Sequence, residues 1–168
     1  SANQVWSMDF VFDRTAEGRS IKNLTVIDDA THEAVAIVAE RAMGGNQVVR
    51  ILDQIAATRG LPKAIRTDNG KEFCGRAMLN WAHARGVQLF LIEPGKPNQN
   101  AYIERFNRTI REEVLDQYLF RRLEDVREAA WWWMLEYNEQ RPHDSLGDLT
   151  PAEVRQQYEE SSTFALCA

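Results

Sequence analysis

The sequence predicts an α/β protein built on a five-stranded mixed sheet, three antiparallel strands then two parallel ones, flanked by helices. Two observations predict it. The first forty residues hold three β-rich runs separated by short turn signals, the pattern of a meander. From Gly45 the apolar period lengthens from two to about 3.6, and helical and strand-like segments then alternate.

Each element follows from local chemistry. Val5 to Phe12 and Ile21 to Ile27 are the first two strands, with the turn Thr15-Ala-Glu-Gly18 between them. Ala34 to Ala39 is the third, reached through Asp28-Asp-Ala-Thr-His32. Val48, Ile51, Leu52 and Ile55 fall on one helical face, and Gly60-Leu-Pro62 stops that helix. Ala64 to Thr67 is a short strand ending at Asp68-Asn-Gly70. Residues 74–85 form a helix closed by Gly86, and Val87 to Ile92 form the fifth strand. A polar loop, Pro94 to Asn100, precedes a long helix from about Ala101 to Leu119, with Ile103, Phe106, Ile110 and Val114 on one face. Another helix spans about Leu123 to Glu139. Thr150-Pro151 opens a last one, with Thr150 as N-cap, Pro151 at the first helical position and Glu153 at the third. This order matches a ribonuclease-H-like fold.

The chain has 168 residues, enough for one domain with a sizeable core, and the C-terminal helices from about residue 123 belong to it. Ser1-Ala2-Asn3 runs straight into the first strand, as expected where a larger protein is cut near a domain border. No apolar run is long enough to span a membrane, and no leader points to export. Cys74 and Cys167 lie far apart, which fits reduced thiols, and the three histidines form no zinc spacing. A net charge of −5 is unusual for a nucleic-acid binder, but it is unevenly spread. Residues 1–122 carry 17 Lys and Arg against 15 Asp and Glu, whereas residues 123–168 carry 3 against 10. The acidity is C-terminal, and the domain alone should bind DNA weakly and with strong salt dependence.

Three acids stand out. Asp9 lies inside an apolar strand, Asp68 just past the fourth strand, and Glu104 in the first turns of the long helix. A carboxylate in an apolar strand is costly unless it is paired, hydrated or bound to a cation. Phosphodiester cleavage supplies a reason to tolerate three, because hard cations with oxygen ligands can activate an attacking hydroxyl and stabilise a leaving oxygen. Asp68 taken alone reads equally as a turn former, and Glu104 as a first-turn acid on the helix dipole. Asp13, Asp28 and Asp29 are explained by turn and capping roles.

The words around these acids are SMDFVFD, TVIDDATHE, IRTDNGKEF, PGKPNQNAYIERFNRTIREE and YNEQRPHDSLGDLTPAEV. They resemble the DDE core shared by retroviral integrases and bacterial insertion-sequence transposases. The thirty-five residues between Asp68 and Glu104 have that family's spacing, and the resemblance covers about residues 5–158. It implies a DNA transposase core in which Asp9, Asp68 and Glu104 hold two Mg²⁺ or Mn²⁺ ions, Asp9 serving both. It also implies nicking at the 3′ ends of an element, followed by attack of the 3′ hydroxyls on target DNA. DNA is then the partner, at least a dimer is the active form, and the setting is the bacterial cytoplasm at the nucleoid. Sequence-specific recognition, typically by an N-terminal helix-turn-helix, lies outside this chain.

Around the acids, Arg108 and Arg111 follow Glu104 at helical spacing and are candidates for the DNA backbone, since guanidinium matches phosphate. An intrahelical Glu104–Arg108 pair is compatible with that role. Lys96, Asn98, Gln99 and Asn100 in the loop are further DNA candidates, and Asn69 and Lys71 weaker ones. Trp131-Trp132-Trp133 fan across about 200° of helix, so two packed and one exposed is the expected arrangement. The alternative is a partner surface. His143 lies in a Pro/Gly turn that packs the last helix. Two rival readings are another ribonuclease-H-like nuclease, for which Asp53 is the acid to weigh, and a non-catalytic assembly module.

Overall fold

The computed structural model describes residues 1–93 and 95–167. Strand β1 (Val5–Arg14) pairs antiparallel with β2 (Ser20–Asp28), and β2 with β3 (Ala34–Glu40). Helix α1 (Gly45–Arg59) leads to β4 (Ala64–Thr67), which lies parallel to β1 on its other side. Helices α2 (Lys71–Cys74) and α3 (Arg76–Arg85) lead to β5 (Gln88–Leu91), parallel to β4. The sheet order is β3-β2-β1-β4-β5. A 3₁₀ turn (Pro97–Asn100) then feeds α4 (Ala101–Ile110), and α5 (Leu123–Glu139) and α6 (Pro151–Cys167) complete the chain.

Side-chain alternation along β1 and β2 divides the core in two. Trp6, Met8, Leu24 and Val26 point to α1 and α3, where Val48, Leu52, Met78 and Trp81 meet them. Val11, Ile21 and Ile27 point to the opposite face, against Ile103, Phe106 and Ile110 of α4 and Val126, Trp133 and Tyr137 of α5. Each fully buried side chain of this kind contributes about 1.5–3 kcal/mol. Asp9 is in step with Val11, so its carboxyl falls on the α4 side. That parity, set by the hydrophobic pattern, brings the strand acid to the helix acid.

Three local expectations change. The helix expected over 74–85 is divided at Gly75, whose extended backbone (φ −75°, ψ 175°) ends α2 and starts α3, and a Cβ there would lie 2.7 Å from the Lys71 carbonyl oxygen. Gly75 allows that approach, and α3 starts afresh after it. The long helix does not reach Leu119. After Ile110 the bonding widens to a π-type segment, Arg111–Leu115, with Asp116 N donating to the Arg111 carbonyl at 2.8 Å. Of the three tryptophans only Trp133 is buried, while Trp131 and Trp132 are more than half exposed and stack edge to face, 4.7 Å apart. Only one of the three directions on α5 faces the sheet. The capping box holds: Thr150 Oγ1 accepts from Glu153 N at 3.2 Å and Thr150 N donates to Glu153 Oε2 at 2.7 Å.

Candidate active site

The register between β1 and β4 runs Val5↔Ala64, Trp6↔Ile65, Ser7↔Arg66. Continued two residues, it sets Asp68, which follows the last residue of β4, beside Asp9. Parallel neighbours thus deliver two acids to one end of the sheet. Ile103, Phe106 and Ile110 anchor α4 by its apolar stripe, which leaves Glu104 exposed at the rim of the same face.

Asp9 is the electrostatic centre. Its pKa is raised from 3.8 to about 6, first by burial, and further by the charges of Asp68 and Glu104 and by a carboxyl–carboxyl hydrogen bond with Asp68. The Phe10 N–H, donated to Asp9 Oδ1 at 2.8 Å, works in the opposite direction. The structure therefore brings Asp68 and Glu104 each within electrostatic reach of Asp9. Among the described residues, however, no three His, Cys, Asp or Glu side chains are gathered closely enough to cage an ion. Mutually repelling carboxylates settle instead on local donors. Asp68 Oδ1 accepts the Gly70 N–H at 2.8 Å, and Asp9 Oδ2 accepts from Asn107 Nδ2 at 3.0 Å.

Asn107 is the site residue that the acid pattern missed. Thr25, the cross-strand partner of Asp9, donates from Oγ1 to Asn107 Oδ1 at 2.7 Å, which fixes the amide so that its NH₂ faces Asp9. Three elements, β1, β2 and α4, are thereby tied together at the carboxylate. Asn107 lies three residues after Glu104, and that helical spacing is the signal that could have found it.

The DNA candidates scatter. Arg108 is exposed on the Glu104 flank of α4, as the spacing predicts. Arg111 is turned back to the protein, donating to the Phe12 carbonyl and lying 3.7 Å from Asp116. Lys96 pairs with Glu93, and Gln99 Oε1 accepts the Glu93 N–H at 3.0 Å, while Asn98 is exposed. Asn100 is buried, and its Oδ1 has no partner among the described residues. Asn69 donates to the Ile92 carbonyl, and Lys71 is exposed at the start of α2.

The other acids are accounted for. Asp28 is fully buried, with Oδ2 accepting from Asn3 N (2.7 Å) and Arg59 Nη2 (3.0 Å) and Oδ1 from the Ala30 and Thr31 N–H groups. Arg59 also meets Glu33, which Arg155 meets from α6. Asp29 accepts from Ser7 Oγ and Arg66 Nη1, and burial raises its pKa. Asp13 accepts the Arg14 N–H, and Asp53 accepts from Trp81 Nε1.

Comparison with known proteins agrees with this architecture. Residues 1–97 match the integrase core domain family, and residues 85–151 match a second family of the same description. The 39.2 kDa protein of insertion element IS476 from Xanthomonas euvesicatoria is 49% identical over 156 residues, 93% of this chain and 45% of that protein. The 31.7 kDa protein of insertion element IS407 from Burkholderia multivorans is 52% identical over 151 residues, 90% of this chain and 54% of that one. The chain spans about half the length of these curated relatives. Among solved structures, the HTLV-2 integrase catalytic core domain in complex with magnesium superposes with a TM-score of 0.72 at 15% identity. That match covers 90% of this chain and 95% of the other, and it shows the fold, which is ribonuclease-H-like. With more than half of its length matched by one family and two insertion-element relatives alike across nine-tenths of it, the chain belongs to the integrase core domain family, in the company of proteins of bacterial insertion elements.

Proposed function

We propose that this chain is the catalytic core of a transposase that cuts DNA at the ends of a mobile element and joins the freed 3′ hydroxyls to target DNA. The observation that carries this reading is the approach of Asp68, at the end of β4, and Glu104, on α4, to Asp9 of β1, whose charges add to burial in raising the pKa of Asp9 to about 6.

The residues fit a hard divalent cation such as Mg²⁺ or Mn²⁺. The donors are carboxylate oxygens only, and their mutual repulsion is the cost that a cation relieves. Asp9, coupled to both of the others, would serve both of two ions, with Asp68 completing one and Glu104 the other. When bound, such a pair lowers the pKa of the attacking hydroxyl and stabilises the leaving oxygen. The chain's own groups do the positioning. Phe10 N–H and Asn107 each occupy one acceptor position on Asp9, leaving lone pairs of both oxygens for other partners. Arg108, exposed beside Glu104, would hold a phosphate of the DNA backbone, with Asn98 and Lys96 as further contacts. Joining two element ends calls for at least two copies of the chain on DNA.

A non-catalytic assembly module is the second reading, favoured by the lack of a ready-made cage among the described residues. Nicking of supercoiled DNA in Mn²⁺ separates the two. The transposase reading expects wild-type nicking and at least a hundredfold loss in Glu104→Gln, with unchanged thermal unfolding. Equal rates in both proteins would contradict it.

A further inference from the structure

Helix α4 has two polar flanks, and the active-site reading uses only one. Glu104, Arg108 and Arg111 lie on the first. Tyr102, Arg105 and Thr109 recur at helical spacing on the second, where they line a cleft of about 190 Å³. Its far wall is His32, from the β2–β3 connection, and the turn carrying Arg141, His143 and Ser145. The apolar floor is Ile27, Phe106 and Tyr137.

The two arginines of this cleft differ in their partners. Arg141 is spent within the protein, because Glu113 and Glu136 both pair with it. Arg105 is exposed, and the arginine ion pairs found among the described residues all involve other arginines. His143 packs edge-on against Tyr137 at 4.8 Å, and its Nε2 is buried with no hydrogen-bond partner among the described residues. His32 packs on Tyr102 at 4.5 Å, and its Nδ1 lies 3.3 Å from Ser145 Oγ. Burial lowers the pKa of both imidazoles. The charges of His143 and Arg105 lower that of His32 further, and Arg141 acts likewise on His143. The Tyr137 backbone and Asp144 pull the other way on His143, and Asp28, already bonded to Arg59, does so on His32. Donors thus converge on a pocket that holds one arginine without an acidic partner and a histidine whose Nε2 has no hydrogen-bond partner, both among the described residues.

We propose that this cleft is a phosphate-binding site, in which Arg105 is the charged donor and His32, His143 and Ser145 complete the grip. A tetrahedral phosphate matches the set: guanidinium donates in a fork, imidazole donates when protonated, and the hydroxyl rotates to suit. The site stands apart from the three carboxylates, so it does not depend on metal chemistry. Two sources supply the ligand, the backbone of a DNA strand running over α4, or a free phosphate or phosphomonoester.

The test follows the imidazole resonances of His32 and His143 by NMR at constant ionic strength. Inorganic phosphate and a short DNA duplex are titrated separately, with chloride as the blank. Arg105→Gln is the companion variant, and its exposed position leaves folding intact. Both imidazoles should shift and their pKa values should rise with phosphate, and Arg105→Gln should weaken binding about tenfold. A response to inorganic phosphate alone would assign the site to the free ligand, and a response to both would assign it to the DNA backbone. No response to either, or equal affinity in Arg105→Gln, would overturn the proposal.

Discussion

The raised pKa of Asp9 predicts that the metal-free protein loses stability as pH rises. Its folded pKa of about 6 lies above its ordinary 3.8, so the folded state binds the proton more tightly than the unfolded chain does. For a raised pKa, the stabilisation is fully present below about pH 3.8 and is lost as pH climbs through 6. Between pH 5 and 7.5 the loss integrates to about 1.4 kcal/mol, which solvent screening of a half-buried group reduces to about 1 kcal/mol. In a chain of this size that is about 2–4 °C in Tm. The assay is thermal unfolding in chelator at both pH values, comparing wild type with Asp9→Asn. The amide loses one acceptor toward Phe10 N–H or Asn107, but that cost does not vary with pH and drops out of the comparison. Other titrating groups, His32 and His143 included, are common to both proteins. Wild type should therefore lose about 1 kcal/mol more than Asp9→Asn over this range. Parallel pH profiles in the two proteins would refute the electrostatic account of the site.

Arg59→Met strips the partner from fully buried Asp28 and from Glu33, and should cost about 3–5 kcal/mol, a Tm fall of roughly 10 °C by calorimetry. Arg66→Met, which breaks the more exposed pair with Asp29, should cost about 1 kcal/mol or less in the same scan. Gly75→Ala drives a Cβ to 2.7 Å from the Lys71 carbonyl and should destabilise α2–α3, seen as faster amide exchange across residues 71–85. Thr150→Ala removes half of a formed capping box and should lower stability by about 1 kcal/mol in urea unfolding.

What the sequence made legible was periodic. The strand order and the two core faces follow from alternation in VWSMDFVF and from the Ile103–Phe106–Ile110 stripe, and the resemblance in the flanking words pointed to the same acids. What stayed hidden depended on tertiary partners. Nothing local distinguishes Asp28, sealed by an arginine thirty-one residues away, from an acid left for a ligand. Asn107 is a polar helix residue until β2 supplies Thr25 to orient it. Arg111 shares the helical spacing of Arg108, yet the widened turn after Ile110 and the nearby Phe12 carbonyl draw it back. Gly75 sits at the break between α2 and α3, where the Lys71 carbonyl leaves no room for a Cβ, a constraint that no propensity encodes. The tryptophan run failed as a prediction because three consecutive helical positions share one buried direction, and Trp133 alone takes it.

The central claim is that Asp9, Asp68 and Glu104 act together as a cation site. Calorimetric titration of Mn²⁺ tests it most directly, with and without a nicked DNA duplex, on wild type, Asp68→Asn and a Glu93→Gln control. The account predicts binding in wild type and in Glu93→Gln, lost in Asp68→Asn, with a stoichiometry that reaches two ions per chain when DNA is present. Equal binding by all three proteins, or none by any of them even with the duplex, would contradict it.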